Sequence, residues 1–189
     1  MSIVKSRIQE SIAVKQQLLE DPALLSQIEV AAGLIQRSLE SGGKILFCGN
    51  GGSAADSLHL AAEFVGRFQK ERKALAAVSL NANIASITAI ANDYSYDLVF
   101  ARAVEALMKT GDVLVGISTS GNAENVYQAM LKAKKIGGKT ISLLGKDGGK
   151  IKSVSDVPIL VPSDRTARVQ EVHIMIGHII SEIVEGDIS

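Results

Sequence analysis

Two groups of residues in this chain have the types and spacing to do chemistry. The first is Gly49-Asn50-Gly51-Gly52-Ser53-Ala54-Ala55-Asp56, directly after the apolar run Ile45-Leu46-Phe47-Cys48. Gly49, Gly51 and Gly52 lack a Cβ, so the backbone there is free to take positive φ and to approach a ligand closely. A helix opening at Ser53 aims its unpaired N–H groups and positive dipole end into that turn, which favours an anion and above all a phosphate. The second group is His59, Glu63 and Arg67, one turn apart on the same helix and so on one face. His59-x-x-x-Glu63 is the spacing of two metal ligands or two acid–base groups, although a solvated polar pair has the same spacing. The combination is an anion cradle with an acid–base group beside it.

Two further segments extend this set. Ser118-Thr119-Ser120-Gly121-Asn122 puts three hydroxyls and a glycine just before a helix start. One such residue would be a helix cap; three together, at the carboxyl end of a strand, favour phosphate binding over capping alone. The last helix is mostly apolar, with Gln170, Glu171, His173 and His178 embedded in it. A lone histidine on such a helix is more often a core residue, but two of the chain's three histidines lie here. His173 and His178 fall on different faces, so at most one enters a given site. Gln170 and His178 are about 12 Å apart along the helix axis, and they meet one ion only at full reach or from different chains. Asn92-Asp93-Tyr94 and Gly145-Lys146-Asp147-Gly148-Gly149 read as turns, and neither is assigned chemistry.

These residues need a scaffold that brings loops together. Short apolar strands at 44–48, 74–79, 113–117, 140–144 and 157–161 alternate with helices at 53–67, 84–91, 98–108, 124–136 and 166–185. That pattern implies an α/β fold, a three-layer, doubly wound, five-stranded parallel sheet of flavodoxin-like type. Ligands in such sheets bind at the carboxyl ends of the strands, where the glycine and serine loops fall. Residues 1–43 precede the sheet as an N-terminal helical hairpin, with Asp21-Pro22 starting the second helix and Gly42-Gly43 ending it. The hairpin carries no catalytic signal and is expected to serve oligomerisation. The whole of 1–189 is expected to be a single domain.

Composition narrows the function classes. Of 189 residues, 47% are apolar, and 20 basic residues balance 20 acidic ones, so nothing points to nucleic acid or an anionic membrane. No apolar run spans a bilayer, the first residues lack a signal-peptide core, and the single Cys48 sits in a buried strand; a cytoplasmic, reducing location is the expectation. Gly49-x-Gly51-x-x-Ala54 formally matches a dinucleotide fingerprint. However, the second strand ends in Val78-Ser79-Leu80-Asn81, with no acid for a ribose, and no Gly-Lys-Ser/Thr follows the loop, so no nucleotide cofactor is expected. A carboxylate, imidazoles and a phosphate grip are the parts for enolisation beside a carbonyl, as in aldose–ketose isomerisation.

The glycine loop, the His59/Glu63/Arg67 helix, Asn92-Asp93, the serine loop and Gln170-Glu171-x-His173…His178 together resemble the phosphoheptose isomerase family of sugar-isomerase (SIS) domains, over almost the full chain. The resemblance implies conversion of D-sedoheptulose 7-phosphate to D-glycero-D-manno-heptose 7-phosphate, the first step toward ADP- or GDP-activated heptose for bacterial lipopolysaccharide and related surface polymers. By motif, Glu63 is the base and His178 the acid. Ser53, Ser118, Thr119 and Ser120 hold the phosphate, and Asn50, Gly51, Gly52, Asn92, Asp93 and Gln170 line the sugar. The resemblance also implies a homotetramer with sites built across subunits. Some members bind zinc at positions matching His59, Glu63, Gln170 and His178, which would be one Zn2+ per subunit. Ala123 and Ala167 depart from relatives that carry serine and aspartate there. Two alternatives follow from the same resemblance: a non-catalytic SIS tetramer that binds the replication initiator, and an isomerase of another sugar phosphate.

Overall fold

A computed structural model describes residues 2–187, so residue 1 and residues 188–189 of the expected 1–189 domain lie outside the described residues. Strands β1 (Ile45–Gly49), β2 (Ala77–Ser79), β3 (Val113–Ser118), β4 (Lys139–Leu144) and β5 (Val157–Leu160) form one parallel sheet in the order β2-β1-β3-β4-β5. This is the flavodoxin-like order that the alternation of strands and helices predicts. β1 and β3 are buried along their whole length, which is why each reads as an unbroken apolar run.

The helices are α1 (Ile3–Leu19), α2 (Pro22–Glu40), α3 (Gly52–Val65), α4 (Ile84–Asp93), α5 (Val99–Leu107), α6 (Glu124–Ile136), α7 (Gly149–Lys152) and α8 (Thr166–Asp187). Strand side chains alternate between two cores. Phe47, Val115 and Ile141 pack with Ile28 of α2, Phe64 of α3 and Ile176 of α8. On the opposite face Leu46, Cys48 and Leu114 pack with Phe100 of α5 and Met130 of α6. Cys48 is fully buried, and burial pushes its thiol up to about 12, so it is a core residue and not a nucleophile. Asp21 caps α2 by accepting from the Ala23 and Leu24 N–H groups at 3.0 Å, with Pro22 as the first helical residue.

Three local expectations change. The second strand covers only Ala77–Ser79, because the Leu75 N–H bonds the Phe64 carbonyl at the end of α3 and not a strand neighbour. The helix expected to reach Arg67 stops at Val65. There the Arg72 guanidinium takes the carbonyls of Glu63, Phe64 and Gly66, and Arg67 stands beyond the helix facing Glu71 at 3.7 Å. The turn after β4 contains the short helix α7, which apolar periodicity over four residues cannot announce.

Candidate active site

The glycine turn is built by contact more than by unusual dihedrals. Only Gly51 has positive φ, +57°, at the N-cap of α3. Gly49 and Gly52 are needed for space: a Cβ on Gly49 would lie 2.7 Å from Ser53, and one on Gly52 would lie 2.4 Å from Gln170 Nε2. Asn81 fixes the strand end. Its amide donates to the Gly49 carbonyl at 3.0 Å and its oxygen accepts from the Gly49 N–H at 3.2 Å and from Ser57 Oγ at 2.9 Å. β2 has ended by then, so an asparagine side chain supplies the ladder bonds that a longer edge strand would have made.

The serine loop faces this turn across a cleft of about 130 Å³, lined by Asn50, Ser53, Ser118, Thr119, Ser120 and Gln170 among others. Every side chain that lines it is neutral. An anion there meets hydroxyls, amides and the N-termini of α3 and α6, the kind of donor set that helix starts offer phosphates. Part of the capping alternative also holds: Ser120 Oγ accepts from the Asn122 N–H at 3.2 Å. Ala123, at the N-cap of α6, makes no side-chain cap bond. Asn50 is held by the buried Asn125 through a reciprocal amide pair, 2.8 and 2.9 Å, and its oxygen also accepts from Tyr96 Oη at 2.8 Å.

The second cluster lies further along the same helix. His59 Nε2 is 2.9 Å from Glu63 Oε1 and 3.4 Å from His178 Nε2. α3 and α8 run side by side in the same direction, with Gly52 against Gln170, Leu60 against Gly177 and His59 against His178. A Cβ on Gly177 would lie 2.4 Å from Leu60 Cδ2, so the helices meet where one has no side chain. Phe68 stacks on His178 at 5.4 Å and 23°. Phe68 is anchored by Glu185, whose carboxylate accepts from the Phe68, Gln69 and Lys70 N–H groups and from Arg72. Burial works to raise the Glu185 carboxyl, but these N–H groups and Arg72 outweigh it and hold it below its ordinary range. Asp56 lies one turn before His59. Burial pushes its carboxyl up against the pull of His59 and His178, and its Oδ2 is buried without a partner.

One imidazole nitrogen carries either a proton or a lone pair. Two Nε2 atoms that face each other therefore need a proton or a cation between them. His59, Glu63 and His178 each offer a ligand atom within 4.8 Å of the others. Donors about 2.0–2.1 Å from a tetrahedral zinc lie roughly 3.3 Å apart, close to the imidazole separation here. The donor set fits a metal ion.

The structure thus brings together Glu63, His59 and His178 in one place, and Asn50, Gly51, Gly52, Ser53, Ser118, Thr119, Ser120 and Gln170 in another. Gln170 sits at the cleft and not with the histidines of its own chain. Asn92 and Asp93 bond each other at the exposed end of α4, at 2.9 Å, and do not line the cleft. His173 is fully buried with neither ring nitrogen hydrogen-bonded; burial, weakly opposed by the Leu144 carbonyl, pushes it down to about 4. Asn81, Asn125 and the Arg72–Glu185 pair escape the sequence reading. Asn81 was visible there only as the end of a strand without an acid.

Residues 8–145 match the SIS domain family. The chain is 51% identical to a phosphoheptose isomerase from Clostridium acetobutylicum, over 99% of this chain and 95% of the relative. A phosphoheptose isomerase from Helicobacter pylori strain P12 is 53% identical over 86% and 85% of the two chains. The solved phosphoheptose isomerase of Neisseria gonorrhoeae superposes with a TM-score of 0.91 at 45% identity, covering 97% of both chains. A family match across most of the chain, a doubly wound sheet with its cleft at the strand ends and relatives alike from end to end lead to one assignment: the chain belongs to the SIS domain family, among its phosphoheptose isomerases.

Proposed function

We propose that this chain interconverts D-sedoheptulose 7-phosphate and D-glycero-D-manno-heptose 7-phosphate as an aldose–ketose isomerase. The observation that carries the reading is the meeting of Glu63, His59 and His178 on α3 and α8, the two helices that also reach the cleft of the phosphate-type loops through Ser53 and Gln170. The relatives that share the chain's full length carry the same activity in their names. Ser53, Ser118, Thr119 and Ser120 grip the phosphate, and Asn50, Gly51, Gly52, Asn92, Asp93 and Gln170 line the sugar. Glu63 removes a proton from C1 of the ketose, giving a 1,2-enediol, and returns it at C2. His178 supplies a proton to the C2 oxygen as the C1 hydroxyl gives one up.

His59, Glu63 and His178 would hold a zinc ion, one per subunit, with the Gln170 amide of a neighbouring subunit as a fourth ligand, and that ion would polarise the substrate carbonyl. Glu63 does not act freely as ligand and mobile base at once, so the two roles compete. Ser53 and Glu63 are ten positions apart on α3, about 15 Å along the axis. That distance, and the exposure of Asn92 and Asp93 outside the lining of the cleft, support sites completed by a neighbouring subunit of a homotetramer. Ile3, Val4, Ile8, Ile12 and Leu19 of α1 are 55–73% exposed, an apolar surface suited to the oligomer contact expected of the hairpin 1–43 within a single domain. No helix among the described residues is long and apolar enough to cross a membrane, in keeping with a cytoplasmic enzyme of heptose biosynthesis.

The test is incubation with sedoheptulose 7-phosphate in deuterated water, with and without added zinc. Deuterium at C2 of the aldose, absent with Glu63→Gln, is the expected result. No conversion under either condition sinks the reading and leaves a binding role. Faster turnover of a different sugar phosphate would instead move the substrate.

A further inference from the structure

We propose that the segment 145–150, a turn with no chemistry of its own, backs the phosphate loop 118–122 and sets the direction of its peptide N–H groups. Gly145 and Lys150 are then positioning residues for phosphate binding, a role that rests on the phosphate reading above. The two segments touch backbone to backbone. A Cβ on Gly145 would lie 2.6 Å from the Thr119 carbonyl oxygen. Gly121 has φ of +67°, and a Cβ there would lie within 2.2 Å of Gly148 main-chain atoms; a Cβ on Gly149 would in turn lie 2.6 Å from the Gly121 carbonyl oxygen. Hydrogen bonds tie the same surfaces: the Ile151 N–H donates to the Gly121 carbonyl at 3.0 Å and the Lys150 N–H to Asn122 Oδ1 at 3.2 Å. Lys150 Nζ bonds Glu124, the first residue of α6, and lies 5.0 Å from the Tyr127 ring centre.

The consequence follows from peptide geometry. The Thr119 carbonyl and the Ser120 N–H belong to one rigid trans plane and point opposite ways. Pressing on that oxygen from the 145–150 side turns the N–H on the cleft side. Gly145 is the contact through which the press is set, and only a residue without a Cβ leaves the plane where it is. Lys150 holds the backing segment to the start of α6, so the loop and the helix that share the anion keep one relative position.

The test is steady-state kinetics with sedoheptulose 7-phosphate, with inorganic phosphate as competitive inhibitor. For Gly145→Ala the expected result is KM and the phosphate inhibition constant each raised about tenfold, with kcat within about threefold of wild type. Lys150→Met is expected to raise both about threefold. If Gly145→Ala does not fold by circular dichroism, Lys150→Met decides alone. Loss of thermal stability with KM and phosphate inhibition unmoved, or a fall in kcat alone, overturns the proposal. Thr119→Ala separates the two levels. If it weakens phosphate inhibition and the backing variants do not, only the backing is lost. If none of the three does, the phosphate is not in this loop and both ideas fall.

Discussion

The cleft and the histidine cluster are built by opposite means. The cleft is neutral and made by turns: glycines where a Cβ would collide, hydroxyls, and two helix starts. The cluster is ionisable and made by side chains on two helix faces, with a buried ion pair behind it. The first suits recognition of an anion that does not change during the reaction. The second suits groups that must gain and lose a proton. An enzyme that keeps these apart changes binding and turnover through different residues.

The largest expected effect removes the support of the cluster and leaves the cleft alone. Arg72 and Glu185 have side chains 7% and 2% exposed. Glu185→Ala leaves Arg72 without its charge partner and is expected to cost about 3–5 kcal/mol of unfolding free energy, read by urea denaturation. It also frees the segment that carries Phe68 over His178, so activity should fall further than KM changes. Next is the cluster itself. Glu63→Gln is expected to lower kcat about a thousandfold with little change in KM. A comparable rise in KM would mean that Glu63 binds as much as it catalyses, and the division between the two regions would blur.

His173 belongs to neither region, though it lies on α8 between Gln170 and His178. Its folded value of about 4 lies below the ordinary 6.5. Between those pH values the unfolded chain holds a proton that the folded chain does not, so stability falls as pH drops from about 6.5 to about 4. The expected loss is about 3 kcal/mol over that window. His173→Leu removes the group, and its stability should fall less than that of the wild type over the same range. Parallel curves would show that His173 does not carry this dependence. The smallest effect is at the cleft: Thr119→Ala should raise KM about tenfold through loss of one hydrogen bond to a charged ligand, with kcat nearly unchanged.

What was legible in the sequence follows the same division. β1 and β3 read clearly because both of their faces are buried, whereas the partly exposed β2 is shorter than its apolar run suggests; α6 falls on the expected residues because its apolar period is strong and a glycine ends it. The cleft was legible because glycine and serine runs are local signals. His59 and Glu63 were legible because their spacing is one turn. Their partnership with His178, 119 positions away, was visible only as a pair of histidines on an apolar helix. Arg72 and Glu185, 113 apart, leave no local pattern at all, since each is an ordinary charged residue until packing buries them together. Asn81 and Asn125 were hidden for the same reason: an amide that ends a strand or starts a helix looks like punctuation.

The contact between Leu60 and Gly177 has a bearing on which ion the cluster would accept. Hydrogen in place of a methyl group lets the two helices approach until their imidazoles stand 3.4 Å apart. The spacing of the two imidazoles is thus set one residue away from them, at a position that carries no donor group of its own. A bulkier residue at 177 would widen that spacing, and the two imidazole nitrogens would then suit a small tetrahedral ion less well.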